Sequence, residues 1–205
     1  MHARFFAMAA LFGALLTAPF AQAARHLPQA RAAESYAHAV TEARVSIAAV
    51  PFPRAAQQRV FAIPYGRFGF VPIRLVITNH NDRPISIAEV RVYFMSANGD
   101  RIDAATPDDV ERAIPLRDKR GRQIPLGPFE VNTHARDSDA KVEQDFRRYA
   151  YNALAVPAHA TVAGFLWFDV EGLGTNPLTG ARLSVRQVQG PDGQELFSFE
   201  VPLEK

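Results

Sequence analysis

The stretch Val156–Val170, V-P-A-H-A-T-V-A-G-F-L-W-F-D-V, is the longest apolar run outside the N-terminus and carries the chain's one tryptophan, Trp167. Alternation from Thr161 onward puts Val162, Gly164, Leu166, Phe168 and Val170 on one face of a strand. Ala163, Phe165 and Trp167 make the opposite face apolar too, so burial on one side alone does not suffice. Something has to cover Phe165 and Trp167. Two covers are available: a helix carrying Val142, Phe146 and Tyr149, or a protein, glycan or lipid partner seated on an aromatic platform made of Phe165, Trp167 and Tyr149.

Upstream, the helix that could supply the first cover is legible. Ser138 reads as an N-cap, and Val142, Phe146, Tyr149 and Ala153 recur at spacings of four, three and four, which predicts a helix from about Asp139 to Ala153. Before it, Thr106-Pro107-Asp108-Asp109 has a capping threonine, proline at the first helical position and acids in the first turn. A short helix to about Ala113, closed by Pro115, follows from that pattern. The intervening residues 116–133, rich in proline, glycine and charge, read as a surface connection.

The remaining chain is strand-like. Val45 to Phe52 is a first strand closed by Pro51 and Pro53. In the run from Phe70 to Thr78, Val71, Ile73, Leu75 and Ile77 alternate with Phe70, Pro72, Arg74, Val76 and Thr78. Asn79-His80-Asn81-Asp82 marks a turn. Val90, Val92 and Phe94 form the buried side of another strand, and Asn98-Gly99 after it signals a type I′ hairpin. Past the opening stretch, Ala181 to Gln189 and Glu195 to Pro202, with Phe197, Phe199 and Val201 on one face, close the chain as a hairpin around Gly190-Pro191-Asp192-Gly193. About seven short strands without strand–helix–strand alternation predict a mainly β chain: an immunoglobulin-like antiparallel two-sheet sandwich with a two-helix insertion at about 105–155.

The N-terminus reads as an export signal. Arg4 precedes an apolar segment from Phe5 to Phe20, and Ala21-Gln22-Ala23 is a small-x-small cleavage site, so residues 1–23 are expected to be removed near Ala23. The apolar core is shorter than the roughly 20 residues a spanning helix needs, which predicts a soluble periplasmic or secreted protein that does not span the membrane. Bacterial lipid anchoring needs a cysteine just after the signal; the chain has no cysteine, so it is not expected to be lipid-anchored, and disulfides play no part in its stability. Residues 24–44 are an alanine-rich leader, disordered or helical through Tyr36 and Val40, and the sandwich occupies 45–205. Arg4 is the signal's one charge, so its removal takes the formal net charge from +2 to +1. The basic isoelectric point, near 9.1, reflects an arginine-rich, lysine-poor composition rather than a concentrated basic face, and no nucleic-acid partner is expected.

The pattern F-x-I-P-x-G-x-x-G-F-x-P-I-R-L-V-I-T-N from Phe61 to Asn79, the later Asn98-Gly99-Asp100, and V-P-A-H-A-T-V-A-G-F-L-W-F from Val156 resemble uncharacterised exported bacterial proteins with an immunoglobulin-like sandwich. The resemblance covers most of the chain from Val45. Its motifs are strand and turn requirements, so it implies a fold and a compartment and carries no catalytic residues.

Candidate chemistry is sparse. His134-Ala135-Arg136-Asp137-Ser138-Asp139 gathers an imidazole and two carboxylates, but Asp137, Ser138 and Asp139 equally cap the coming helix, and the spacing is loose for a metal. Asn79 to Asp82 lacks the order of a calcium loop. Gly172-Leu173-Gly174 has Pro177 where a dinucleotide fingerprint has its third glycine, and no helix opens there. Asp169 and Glu171 lie at a strand end, where acids are ordinarily solvated. His80, His134 and His159 have no serine elbow or cysteine to activate, and His159 sits in a Pro-Ala-His-Ala turn. No catalytic residue, metal or cofactor is therefore expected. The reading is a non-enzymatic exported sandwich that acts by protein–protein contact, as an accessory factor of the cell envelope with an envelope protein as partner. The alternative is a small-ligand or carbohydrate-binding module using the aromatic surface around Trp167.

Overall fold

A computed structural model describes residues 27–118, 133–196 and 198–204. Side chains of residues 117, 118 and 133–136 lie outside that description. Ten strands and two α-helices run in the order β1 (Val40–Glu42), β2 (Val45–Pro51), β3 (Phe70–Asn79), β4 (Ile85–Ser86), β5 (Arg91–Met95), β6 (Arg101–Asp103), α1 (Pro107–Asp118), α2 (Thr133–Tyr149), β7 (Ala155–Val156), β8 (Thr161–Asp169), β9 (Arg182–Arg186) and β10 (Phe199–Pro202). Every strand pairing is antiparallel.

Sheet one has the order β1-β2-β3-β8 and sheet two the order β10-β9-β5-β6, with β4 and β7 forming a separate ribbon. The chain crosses from sheet one to sheet two after β3, returns at β8 and crosses again to β9, an immunoglobulin-like Greek-key path. Both helices lie on the crossing between β6 and β8. The expected mainly β sandwich with a helical insertion is the observed fold.

The sandwich interior is filled by alternate residues. Val71, Ile73, Leu75 and Ile77 of β3 belong to one apolar cluster with Phe94, Leu183, Val185, Phe199 and Val201 from sheet two. Phe197 of the expected last strand lies outside the described residues.

Sheet one is also buried on its outer side. All ten residues of β3 are buried, including Phe70, Arg74, Val76 and Thr78, which point away from the sandwich interior. Two covers share that outer face. At one end, Ala33 packs with Ala48 and Val76, flanked by Ala30, Tyr36 and Ala39, and the Ala33 N–H donates to Thr78 Oγ1 at 2.8 Å. The leader is thus neither loose nor helical through Tyr36 and Val40 from residue 27 on: it makes a 3-10 turn at Ala33–Ser35 and then β1. Small alanine side chains let its backbone lie close to the sheet, and Val40 pairs with Ile47 instead of with Tyr36. The other cover is the helical insertion, described below.

Three local expectations need correction. α1 continues through Pro115 to Asp118. Proline removes one N–H bond and crowds the preceding turn, a cost that a helix anchored by buried Val110 and Ile114 tolerates near its end. α2 begins at Thr133, so Asp137, Ser138 and Asp139 lie inside it rather than capping it, and it ends at Tyr149 rather than Ala153. The β5–β6 connection is a hairpin, but Asn98 does not have positive φ and Gly99 does, at 92°. The Ser96 N–H donates to the Asp100 carbonyl at 2.9 Å, which makes a three-residue loop with a left-handed glycine in place of a type I′ turn.

The free edge of β8 is capped by the insertion's own ends. Entering it, the Ala105 N–H donates to the Trp167 carbonyl at 2.7 Å; leaving it, the Tyr151 N–H donates to the Phe165 carbonyl at 2.9 Å. The second crossing requires Gly164, because a Cβ there would lie 2.4 Å from the Tyr151 Cα.

Candidate functional site

Phe165 and Trp167 sit side by side on the outer face of β8, opposite Arg74 and Pro72 of β3. Both are sealed: Trp167 is 1% exposed and Phe165 0%. Trp167 stacks on Phe146 of α2, with ring centroids 4.0 Å apart and planes 22° from parallel. Tyr65 and Phe61 close on it from the segment between β2 and β3, at 5.5 and 5.8 Å. Phe165 takes edge contacts from Phe52 at 4.9 Å and Phe61 at 5.0 Å. Tyr149, half-buried, meets Phe165 at 6.4 Å and donates its hydroxyl to the Val60 carbonyl at 3.2 Å. The structure therefore brings the three candidate residues together and supplies their cover from within the chain. Phe165 and Trp167 present no exposed platform here, because α2 and residues 57–68 occupy the place a ligand would take.

What holds that cover down is a residue sequence reading missed. Asp145 is 3% exposed, and its carboxylate accepts the Ala62 N–H at 2.8 and 2.9 Å, the Ile63 N–H at 3.2 Å and the Tyr65 hydroxyl at 3.0 Å. Burial first, then the Asp145 charge and the hydrogen bond to it, push the Tyr65 phenol well above its ordinary value, so it stays a neutral donor. The signal was in the helix pattern. Asp145 stands three residues after Val142 and one before Phe146, on the apolar stripe itself, and a carboxylate there has to find donors.

Three buried polar atoms have no partner among the described residues: Trp167 Nε1, the Tyr151 hydroxyl and Arg74 Nε. Arg74 Nη2 donates to the Pro28 carbonyl at 2.9 Å, and burial lowers the pKa of its guanidinium. Each orphaned group costs about 1–3 kcal/mol relative to a satisfied one.

The other candidate clusters resolve into turn and surface chemistry. Asn79 is fully buried and its Nδ2 donates to the carbonyls of Arg83, Val156 and Pro157, while its Oδ1 accepts the Asn81 N–H at 2.9 Å. His80 Nε2 lies 3.1 Å from Ser46 Oγ and 3.4 Å from Glu34 Oε2. The same ring nitrogen faces both groups, so the carboxylate does not orient the imidazole toward the hydroxyl as a triad requires. His159 is exposed, with its Nε2 3.0 Å from Asp82 Oδ1. Glu171 donates its N–H to Asp169 Oδ1 at 3.1 Å, and Gly172 and Gly174 have positive φ in the turn after β8. His134's side chain lies outside the described residues.

Between the helices, a cleft of about 360 Å³ is lined by Asp108, Glu111, Arg112, Pro115 and Asp139. Partial burial and the neighbouring charges of Asp139, Asp108 and Glu143 raise the Glu111 pKa. Asp109 moves the other way. The Thr106 hydroxyl and N–H, then Arg112, hold its carboxylate below the usual range, in a reciprocal cap with Thr106 that starts α1 where the sequence placed it.

No helix among the described residues is long and apolar enough to cross a membrane. Comparison of the chain with models of known families, with curated proteins and with solved structures finds no match.

Proposed function

We propose that the chain is an exported sandwich domain that works by binding another protein, as an accessory or assembly factor of the cell envelope, through the outward face of sheet two. Export rests on Arg4, the apolar segment after it and the Ala21-Gln22-Ala23 cleavage pattern. The observation that carries the binding surface is an asymmetry between the sheets. The outer face of sheet one is filled by the leader and the insertion. In sheet two, β10 alternates between buried and exposed, β9 buries Leu183, Ser184 and Val185 between the accessible Arg182 and Arg186, and on β5 Arg91, Tyr93 and Met95 are accessible.

A ligand-binding role for Phe165, Trp167 and Tyr149 would require α2 and residues 57–68 to lift, against the bonds of Asp145 to that segment. The protein-contact reading needs no such opening.

A photo-crosslinking amino acid placed at Tyr93, in the cells that make the protein, tests this reading. A covalent adduct of one discrete protein mass from position 93, and none from an equivalent at Asp108 on the insertion, is the expected result. Absence of an adduct from position 93, or an equal adduct from position 108, would overturn it. Binding to a glycan that Trp167→Phe weakens at an unchanged melting midpoint would favour the ligand-binding alternative instead.

A further inference from the structure

We infer that the open face of sheet two recognises an acidic protein segment, whose carboxylates dock on Arg91 and Arg186; this rests on the protein-contact reading and names the partner's chemistry. Arg91 and Arg186 are register partners on adjacent antiparallel strands, and both side chains are exposed. Two like charges directly opposite each other work against the sheet, so the pair has no explanation in the stability of the fold.

The two arginines are held rather than loose. Arg91 Nε donates to Gln187 Oε1 at 2.9 Å, and Arg186 Nε donates to Ser184 Oγ at 3.2 Å. Ser184 is itself buried and donates to Glu200 Oε1 at 2.6 Å. With each Nε occupied, the terminal amino groups of both forks remain for a ligand, and among the described residues neither arginine forms an ion pair with a carboxylate. Nearby acids are otherwise engaged: Glu200 also accepts from Arg182 Nε at 2.7 Å, and Glu195 accepts the Gln187 N–H at 3.2 Å. Asp103, opposite Tyr93, is a further acid on this face, and exposed Glu89 precedes β5 by two residues.

The chemistry around the pair favours a protein over other polyanions. The Arg101 guanidinium lies 4.7 Å from the Tyr93 ring centroid, and Met95 stands beside Tyr93 on the same face, so arginine, tyrosine and methionine are presented together. Those residue types are enriched at protein interfaces, where lysine is depleted, and lysine is absent from this sheet. A duplex or an anionic membrane draws on a larger basic excess than a chain of formal net charge +2 presents on one flat face.

The test measures binding of fluorescein-labelled poly-L-glutamate to the purified protein by anisotropy at low and moderate salt. Salt-sensitive binding is expected, weakened at least about tenfold in an Arg91→Glu/Arg186→Glu variant whose melting midpoint is not lowered, and unchanged in an Arg54→Glu/Arg59→Glu control. If the double reversal fails to fold, Arg91→Ala/Arg186→Ala replaces it, with the same loss expected. No binding, equal loss in the control, or tighter binding to a DNA oligonucleotide or to phosphatidylglycerol vesicles would overturn the inference. Should poly-L-glutamate fail while the adduct at position 93 still forms, the acidic partner is wrong and the protein-contact reading stands; loss of both removes the reading itself.

Discussion

In sheet one, β3 is buried at every residue, whereas in sheet two β10 alternates between buried and exposed and β5 buries Phe94 between accessible neighbours. The difference comes from what each sheet meets on its far side. Sheet one receives the leader at one end and the insertion at the other, so its strands carry apolar groups on both faces, as strands of doubly covered sheets do. Among the described residues, no helix is a principal contact of sheet two. Its outward positions are free to be arginine, tyrosine, serine and glutamate. One sheet is therefore committed to holding the molecule together, and the other is available for contact.

The largest expected effect of a substitution is at Trp167. Trp167→Ala removes a ring packed against Phe146, Tyr65, Phe61 and Phe165, and is expected to destabilise by about 3–5 kcal/mol in chemical denaturation. A loss below about 1 kcal/mol would mean that the outer face of sheet one is not core. Asp145→Ala leaves the Ala62 and Ile63 N–H groups and the Tyr65 hydroxyl without their acceptor. We expect a cost of about 3 kcal/mol, with residues 57–68 losing amide protection in hydrogen exchange ahead of β3. Protection lost evenly over the whole chain would argue against a clamp.

Gly164→Ala probes the edge of sheet one. The added Cβ meets backbone at Tyr151, which no rotamer change relieves, and about 2 kcal/mol is expected, read as a lowered denaturation midpoint. On sheet two the expectation has a different size and sign. Arg91→Gln removes one of two facing like charges and should change stability by no more than about 0.5 kcal/mol, in the stabilising direction. A large loss there would show that the open face has a structural duty after all.

The sequence carried the fold where local chemistry is unambiguous. The two-faced apolarity of Phe165 and Trp167 against Leu166 and Phe168 required a cover, and the spacing of Val142, Phe146 and Tyr149 offered one of two; the structure supplies that helix together with Phe61 and Tyr65. Capping by Thr106 placed the start of α1. Legibility failed where a distant contact overrides the local signal: α2 runs past the Ser138 cap, and α1 passes Pro115 because Val110 and Ile114 anchor it against the second core. Asp145 stood out only as a carboxylate on an apolar stripe; its donors lie 80 or more residues away at Ala62, Ile63 and Tyr65, beyond any local signal. The arginine pair escaped notice because Arg91 and Arg186 are neighbours only through the β5–β9 register.

Because Trp167 is the chain's one tryptophan, its fluorescence reports the sealed face of sheet one with no other residue contributing. Emission well to the blue of free tryptophan is expected in the folded protein, with little quenching by acrylamide until the chain unfolds. Emission at the position of the free amino acid, quenched as readily before denaturation as after it, would contradict the claim that the insertion closes over that face.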